Sequence, residues 1–366
     1  MNCEHRIDQV RPYGRRPPPT TWDRWAQDGA GARVAPAPID VALNMTRRGA
    51  TEPVGRSRTA PPRYRSLLVP VDGSPFGEHA LPLALGIARR AGAALRVVHV
   101  YRPMESVLQR ERLLHTNGLD AWLRRRQQAY LDHLIRRIAR VTSLPVTPAF
   151  IEGREIAATL CEVASAGTDL IVMATHGHGP LERIWRGSVA DVLMRRLSVP
   201  LLLVRGYNAP VDLTGDPLLR HILIPLDGSD FAEQVLEPAV ALGALTHADH
   251  TLLRVIPLET DDFVGYGESI MQRPHGERRQ AEAWSYLRRA ADRLGGPTRR
   301  VHPCVVLDEQ PVAKAILHYA QAQDADLIAL ATRGRGGLSR LFGGSVADRV
   351  VRSASMPVLV FRPDTE

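Results

Sequence analysis

Short apolar runs recur along the chain, each closed by a turn and followed by a stretch of helical periodicity, so strands and helices are predicted in alternation. The first strand is Ser66-Leu67-Leu68-Val69-Pro70-Val71; it stops at Asp72-Gly73-Ser74, and a helix is predicted over about 76–91. Ser74 followed by Pro75 suits an N-cap and a first helical residue. His221-Ile222-Leu223-Ile224-Pro225-Leu226, Asp227-Gly228-Ser229-Asp230 and a helix to about 245 repeat the unit. In the second unit Ser229 caps and Asp230 puts negative charge in the first turn. Runs at 94–100 and 250–256 read as strands buried on both faces. Variable connections include 107–114 and 266–272, and lead to helices at about 119–140 and 277–294.

Strands near 146–150 and 301–306 precede helices at about 155–166 and 312–321. Central strands at 169–174 and 326–331 enter glycine-rich loops, after which helices at 189–196 and 346–352 and strands at 200–204 and 357–361 close each half. About five strands alternating with four helices per half predict an α/β fold: an open, mainly parallel sheet covered on both faces, with right-handed crossovers. The loops confirm a repeat, because Gly177 and Gly334, like Gly187 and Gly344, are 157 positions apart. The expected organisation is an extension over 1–62, domains at 63–206 and 220–363, and a short polar linker over 207–219. Proline- and arginine-rich, with no sustained period, 1–62 reads as flexible, and Met45 offers a second translation start.

Composition changes this picture little. The formal net charge is +8, but Lys314 is the only lysine, so much of the excess reflects a preference for arginine. This argues against nucleic-acid binding as the main role, while a positive field would still attract phosphorylated ligands. Cys3, Cys161 and Cys304 lack disulfide or zinc spacing, and no apolar run has the length of a membrane span or a signal peptide's centre. The expectation is a cytoplasmic, soluble protein without membrane partners.

In an open α/β sheet, ligands collect beyond the carboxyl ends of the strands, where strand order diverges. Asp72 and Asp227 end the first strands and the glycine loops end the fourth, so these pieces converge. Gly177 and Gly187, or Gly334 and Gly344, permit close backbone approach to phosphate oxygens; Ser188 or Ser345 adds a hydroxyl at a helix start. Asp72 or Asp227 suits a ribose hydroxyl or a position near Mg2+. The plainer alternative is that the glycines make turns, the serines cap helices and the aspartates satisfy strand-end N–H groups. His176 and His178 are suited to phosphate contact, and Arg333 and Arg335 replace them in the second half. Arginine stays protonated, so the halves share no general base. A Rossmann fingerprint, a Walker A sequence and a G-x-S-x-G elbow are all missing.

Val69-Pro70-Val71-Asp72-Gly73-Ser74, then Ala174-Thr175-His176-Gly177, nine residues and Gly187-Ser188, resembles the universal stress protein family, as do Ile224-Pro225-Leu226-Asp227-Gly228-Ser229 and Ala331-Thr332-Arg333-Gly334, nine residues and Gly344-Ser345. The resemblance implies an adenine nucleotide alpha hydrolase-like fold: two tandem doubly wound sheets, each of five strands in order 3-2-1-4-5. It implies ATP, with Mg2+ near Asp72 and Asp227, held by the strand-one aspartate, the glycine loop and the helix start Ser188-Val189 or Ser345-Val346. Atoms near Val98 or Leu253 would flank adenine. Family members pair through their last strands, which implies pairing of the two domains within the chain and a homodimer of the whole. Ala174 and Ala331 depart from the Gly-x-x-Gly of ATP-binding members. The leading expectation is an ATP-binding stress-response regulator with an unidentified protein partner. A nucleotide-independent scaffold and a slow Mg2+-dependent ATPase are the alternatives.

Overall fold

A computed structural model describes residues 33–34, 64–103, 117–176, 188–207, 209–258, 274–295, 299–332 and 346–363. The first half contains β2 (Ser66–Val71), α1 (Pro75–Glu78), α2 (Leu81–Ala91), β3 (Ala94–Tyr101), α3 (Asn117–Ala139), β4 (Val146–Glu152), α4 (Ile156–Ser165), β5 (Leu170–His176), α5 (Ser188–Arg196) and β6 (Leu201–Gly206). The second contains β7 (His221–Pro225), α6 (Asp230–Glu233), α7 (Leu236–Ala244), β8 (Asp249–Pro257), α8 (Pro274–Leu294), β9 (Val301–Asp308), α9 (Val312–Ala322), β10 (Leu327–Ala331), α10 (Val346–Ser353) and β11 (Val358–Phe361). The expected segments 107–114 and 266–272 lie outside the described residues. Each single helix expected after the first strand is broken in two, at His79-Ala80 and at Gln234-Val235. Pro82 and Pro238 explain the breaks, since each lacks an N–H and its ring crowds the carbonyl four residues earlier.

Each half has the strand order 3-2-1-4-5, but the expectation of two separate sheets is corrected. With β1 (Arg33–Val34) included, all strands form one sheet in the order β1-β9-β8-β7-β10-β11-β6-β5-β2-β3-β4. The halves join where β6 and β11 run antiparallel, pairing Leu201 with Val360, Leu202 with Leu359 and Leu203 with Val358. Fusing two edge strands satisfies both rows of backbone N–H and C=O groups. The eleventh strand, β1 (Arg33–Val34), comes from within 1–62 and pairs antiparallel with Leu307 and Val306 of β9.

Alternation along the strands builds a core layer on each face, and both layers cross the junction. One layer joins Val69, Leu202 and Leu359 to residues of α2, α3, α7 and α8; the other joins Val98, Leu203 and Val358 to residues of α4, α5, α9 and α10. Further contacts tie the halves. The Tyr64 hydroxyl donates to the Pro238 carbonyl at 2.7 Å, and Arg205 donates to the Arg352 carbonyl at 3.2 Å. The linker docks on α2 through Asp216, which accepts from Arg89 at 3.1 Å and Arg90 at 2.5 Å. Within each half one carboxylate aligns the first and fourth strands: Asp169 accepts from the Arg65 and Ser66 amides, and Asp326 from those of Arg220 and His221.

The repeat is uneven at two chain reversals. Gly92 and Gly167 take positive φ in the first half, where the second uses His247 at φ 54° and Asp324 at φ 49°. A Cβ is crowded in the left-handed region. His247→Gly is therefore expected to raise stability by about 1 kcal/mol, measured by urea unfolding; no gain would mean that the imidazole's contacts offset the strain.

Candidate functional site

The site is built where outgoing connections leave neighbouring strands on opposite faces. β2 leads to α2 on one face and β5 to α5 on the other; β7 and β10 repeat this with α7 and α10. Such a divergence opens a crevice at the strands' carboxyl ends. Parallel pairing sets Leu67 against Leu170 and Leu68 against Ile171, and in the second half Ile222 against Leu327 and Leu223 against Ile328. Continuing that register sets Ala174 level with Val71 and Ala331 level with Leu226, each next to its site aspartate. The first residues of the two loop motifs therefore occupy the same place in both halves.

Asp72 and Asp227 are exposed at the sheet rim and are held alike. Asp72 Oδ1 accepts from the Ser74 amide at 2.9 Å and from Ser74 Oγ at 2.6 Å. Asp227 Oδ1 accepts from the Ser229 amide at 3.0 Å and Oγ at 2.5 Å. Each serine hydroxyl also caps the next helix, accepting from the Gly77 amide at 3.4 Å or the Ala232 amide at 3.1 Å. The carboxylate is thus pinned by one oxygen at the crevice edge.

Behind each turn is a polar cluster that the sequence reading missed. Glu78 on α1 is buried and accepts from Tyr130 at 3.1 Å and from Arg137 at 2.7 Å, both on α3. The second half repeats it with Glu233, Tyr286 and Arg293: Arg293 pairs with Glu233, and the Tyr286 hydroxyl lies buried beside that carboxylate without a hydrogen bond of ordinary geometry. Burial, with the neighbouring glutamate second, pushes the Tyr130 and Tyr286 hydroxyl pKa values up, so both stay protonated. These clusters clamp α1 and α6, the helices capped by the site serines, onto the long helices. The signal was available in the repeated Glu, Tyr and Arg, whose tyrosine and arginine are seven residues apart in each half. It was hidden inside an arginine-rich helix that reads as a solvated face.

The other sequence-predicted positions differ in where the structure places them. Ala174 and Ala331 are half-buried at the rim. Val98 and Leu253 are fully buried in the core layer of α4, α5, α9 and α10. Val189 packs partly against that layer, whereas Val346 is exposed at the start of α10. His176 ends β5 and Ser188 begins α5. Gly177, His178 and Gly187, and in the second half Arg333, Gly334, Arg335, Gly344 and Ser345, lie outside the described residues. Among the described residues no group of three or more His, Cys, Asp or Glu side chains could hold a metal ion. A Mg2+ at Asp72 or Asp227 would be held by that carboxylate and would take its other ligands from water and phosphate. No helix among them is long and apolar enough to cross a membrane.

The universal stress protein family model matches residues 63–205 and again 219–362, covering both halves and their repeated aspartate turns. The chain belongs to the universal stress protein family. A universal stress protein of Mycobacterium tuberculosis is 29% identical over 211 residues, 56% of this chain and 65% of its own length. The chain thus spans a little under two thirds, 65%, of the first curated relatives it matches. A second universal stress protein of that organism is 26% identical over 317 residues, 81% of this chain and 94% of its own. The crystal structure of a universal stress protein from Archaeoglobus fulgidus superposes with a TM-score of 0.59, at 19% identity, over 82% of this chain and 97% of that one. The tandem arrangement is therefore a shared fold.

Proposed function

We propose that each half binds an adenine nucleotide, ATP with Mg2+, across the crevice between its first and fourth strands, and that the chain acts as a nucleotide-dependent stress-response regulator. The observation that carries this reading is the duplicated rim. An exposed aspartate, pinned by the serine two residues on, is level with the strand that enters an Ala-x-x-Gly loop, at matching positions in both halves. The aspartate would accept a ribose hydroxyl; the glycine loop and the amides at the α5 and α10 starts would face phosphate. Binding would regulate by favouring one of two states of an interaction surface, to the extent that affinity differs between them. Hydrolysis is slow in this reading, because His176 and His178 give way to Arg333 and Arg335, which cannot act as bases. Nucleotide-independent scaffolding is the competing reading, and Ala174 and Ala331 favour it by placing methyl groups where the Gly-x-x-Gly pattern has none.

Calorimetric titration with ATP, AMP and cyclic AMP, with and without Mg2+, tests the proposal. Two ATP equivalents per chain are expected, with Gly187→Val and Gly344→Val each weakening one site by tenfold or more, since a branched side chain blocks backbone approach, at a cost of roughly 1.4 kcal/mol or more. Undiminished affinity in both variants would refute the phosphate assignment, and no binding of any nucleotide would favour the scaffold.

A further inference from the structure

The long helices α3 and α8 occupy matching places against one core layer, and their clamp residues align them: Tyr130 and Tyr286, like Arg137 and Arg293, are 156 positions apart. Under that alignment the halves differ sharply on the helix face turned away from the sheet. On α3, Trp122, Arg126, Ala129, His133, Arg136 and, just past the helix end, Arg140 are all exposed. Alternate steps of four and three residues set them in one straight line along the helix. On α8 the same line carries Arg278, Glu282, Ser285, Arg289 and Asp292.

The α8 line is balanced within itself. Its two arginines face two acids, Arg278 donates to Glu282 at 2.8 Å, and Arg289 donates to Ser285 Oγ at 2.7 Å. The α3 line holds no carboxylate. Arg124 and Arg137 of the same helix are neutralised by Glu152 at 2.8 Å and Glu78 at 2.7 Å. Asp120 accepts from Tyr101 and Asp132 from Gln128. Among the described residues, Arg125, Arg126, Arg136 and Arg140 have no carboxylate partner. An apolar spot lies at one end of this cationic stripe. Trp122 is 48% exposed and Leu119, one turn earlier, 50%, and the Arg126 guanidinium lies over the Trp122 ring at 5.4 Å from its centroid.

We infer that this face of α3 docks an acidic helix of a protein partner, with an apolar residue of that helix seated against Trp122 and Leu119. The four arginines span about 22 Å of helix axis, roughly one per turn. A partner helix with glutamates at the same four-and-three spacing presents acids at that density, and Ala129 in mid-line lets the two backbones approach. Duplex nucleic acid carries a charge about every 1.7 Å of its axis, so most of its phosphates would meet no cation here. A bilayer surface takes up a helix by its apolar face. That face of α3, Leu131, Leu134 and Ile138, is 0% exposed in the core. Tryptophan and arginine, by contrast, are the side chains that most often carry protein–protein binding energy. None of these residues belongs to either crevice, so the nucleotide reading and this inference stand or fall separately.

The test is a fluorescence anisotropy titration of the full chain against a dye-labelled synthetic peptide whose glutamates are spaced alternately four and three apart, with a leucine near each end. Arg126→Glu combined with Arg136→Glu is expected to weaken binding by roughly tenfold or more. Arg278→Glu combined with Arg289→Glu makes the same change in net charge on α8, so it separates the stripe from the overall charge of the chain, and should shift affinity by less than about twofold. Trp122→Ala leaves the charge alone and should weaken binding about fivefold. Equal losses from the two arginine pairs, no binding, or equally tight binding of a peptide of the same composition with its glutamates out of that spacing would overturn the inference. So would displacement of the labelled peptide by a duplex oligonucleotide, or by vesicles of phosphatidylserine and phosphatidylcholine, at lower concentration than by the unlabelled peptide. If the Arg126 and Arg136 variant does not fold, Trp122→Ala and the respaced peptide decide the matter.

Discussion

Acidification from about pH 7 to about pH 4 is expected to remove roughly 3 kcal/mol of folding stability through His250 alone. The ring is 1% exposed, under α7, and neither nitrogen makes a hydrogen bond of ordinary geometry. Burial pushes its pKa from 6.5 down to about 4; Arg299 and His221 lower it further, while the Ala239 carbonyl and the Asp249 carboxylate oppose the shift. Above the unfolded value both states are neutral and the full stability is present. As pH falls below 6.5 the unfolded chain takes up a proton that the folded one refuses, until the folded ring titrates near 4. The same place in the first half holds Leu95, with Ala88 where the second half has Gly243. A methyl on Gly243 would collide with His250 Nε2, so the larger ring and the missing methyl compensate each other. His250→Leu should therefore flatten the acid limb of stability, measured by urea unfolding across this pH range. Identical slopes in the variant and the parent would rule out His250 as the cause.

Shortening one leucine at the junction should cost nearly as much. Leu202 and Leu359 face each other across the antiparallel β6–β11 pair, both are 0% exposed, and both belong to the core layer that crosses from one half to the other. Leu359→Ala removes buried methyl groups and leaves a cavity bounded by both halves, a loss of about 3 kcal/mol. Because Leu202 is its direct neighbour, the pair of changes should deviate from additivity by about 1 kcal/mol. Unfolding followed by fluorescence and by circular dichroism should stay coincident, since no boundary in the core separates the halves. Two resolved transitions, with only one moved by Leu359→Ala, would show instead that the halves unfold independently.

Much of the framework is legible in the sequence. Two copies of an apolar run ending in Asp-Gly-Ser identify the first strands, the capping serines and the exposed aspartates, because turn and cap chemistry are local. The same locality fails at Pro82 and Pro238. Periodicity carries straight through both prolines, while their missing N–H groups divide the helices. Glu78, Tyr130 and Arg137 show the limit more sharply: each looks like a surface side chain in its own helix, and only the packing of α1 on α3 buries the glutamate and makes it a clamp. His99 and Arg254 could be aligned by the repeat, yet nothing in the alignment shows that His99 Nδ1 lies 3.0 Å from the Val71 oxygen and that Arg254 Nη1 donates to the Leu226 oxygen at 3.3 Å, each carbonyl next to a site aspartate.

By itself, then, the sequence determined the duplicated α/β pattern, the strand ends that carry Asp72 and Asp227, and the glycine loops that follow the fourth strands, all features written in runs of neighbouring residues. The tertiary structure decided that the two halves share one sheet and two continuous core layers, that Glu78 and Glu233 clamp the capped helices, and that His250 lies where burial and the groups it faces set its behaviour. Those outcomes depend on which surfaces meet across long stretches of chain, because desolvation and charge act through space.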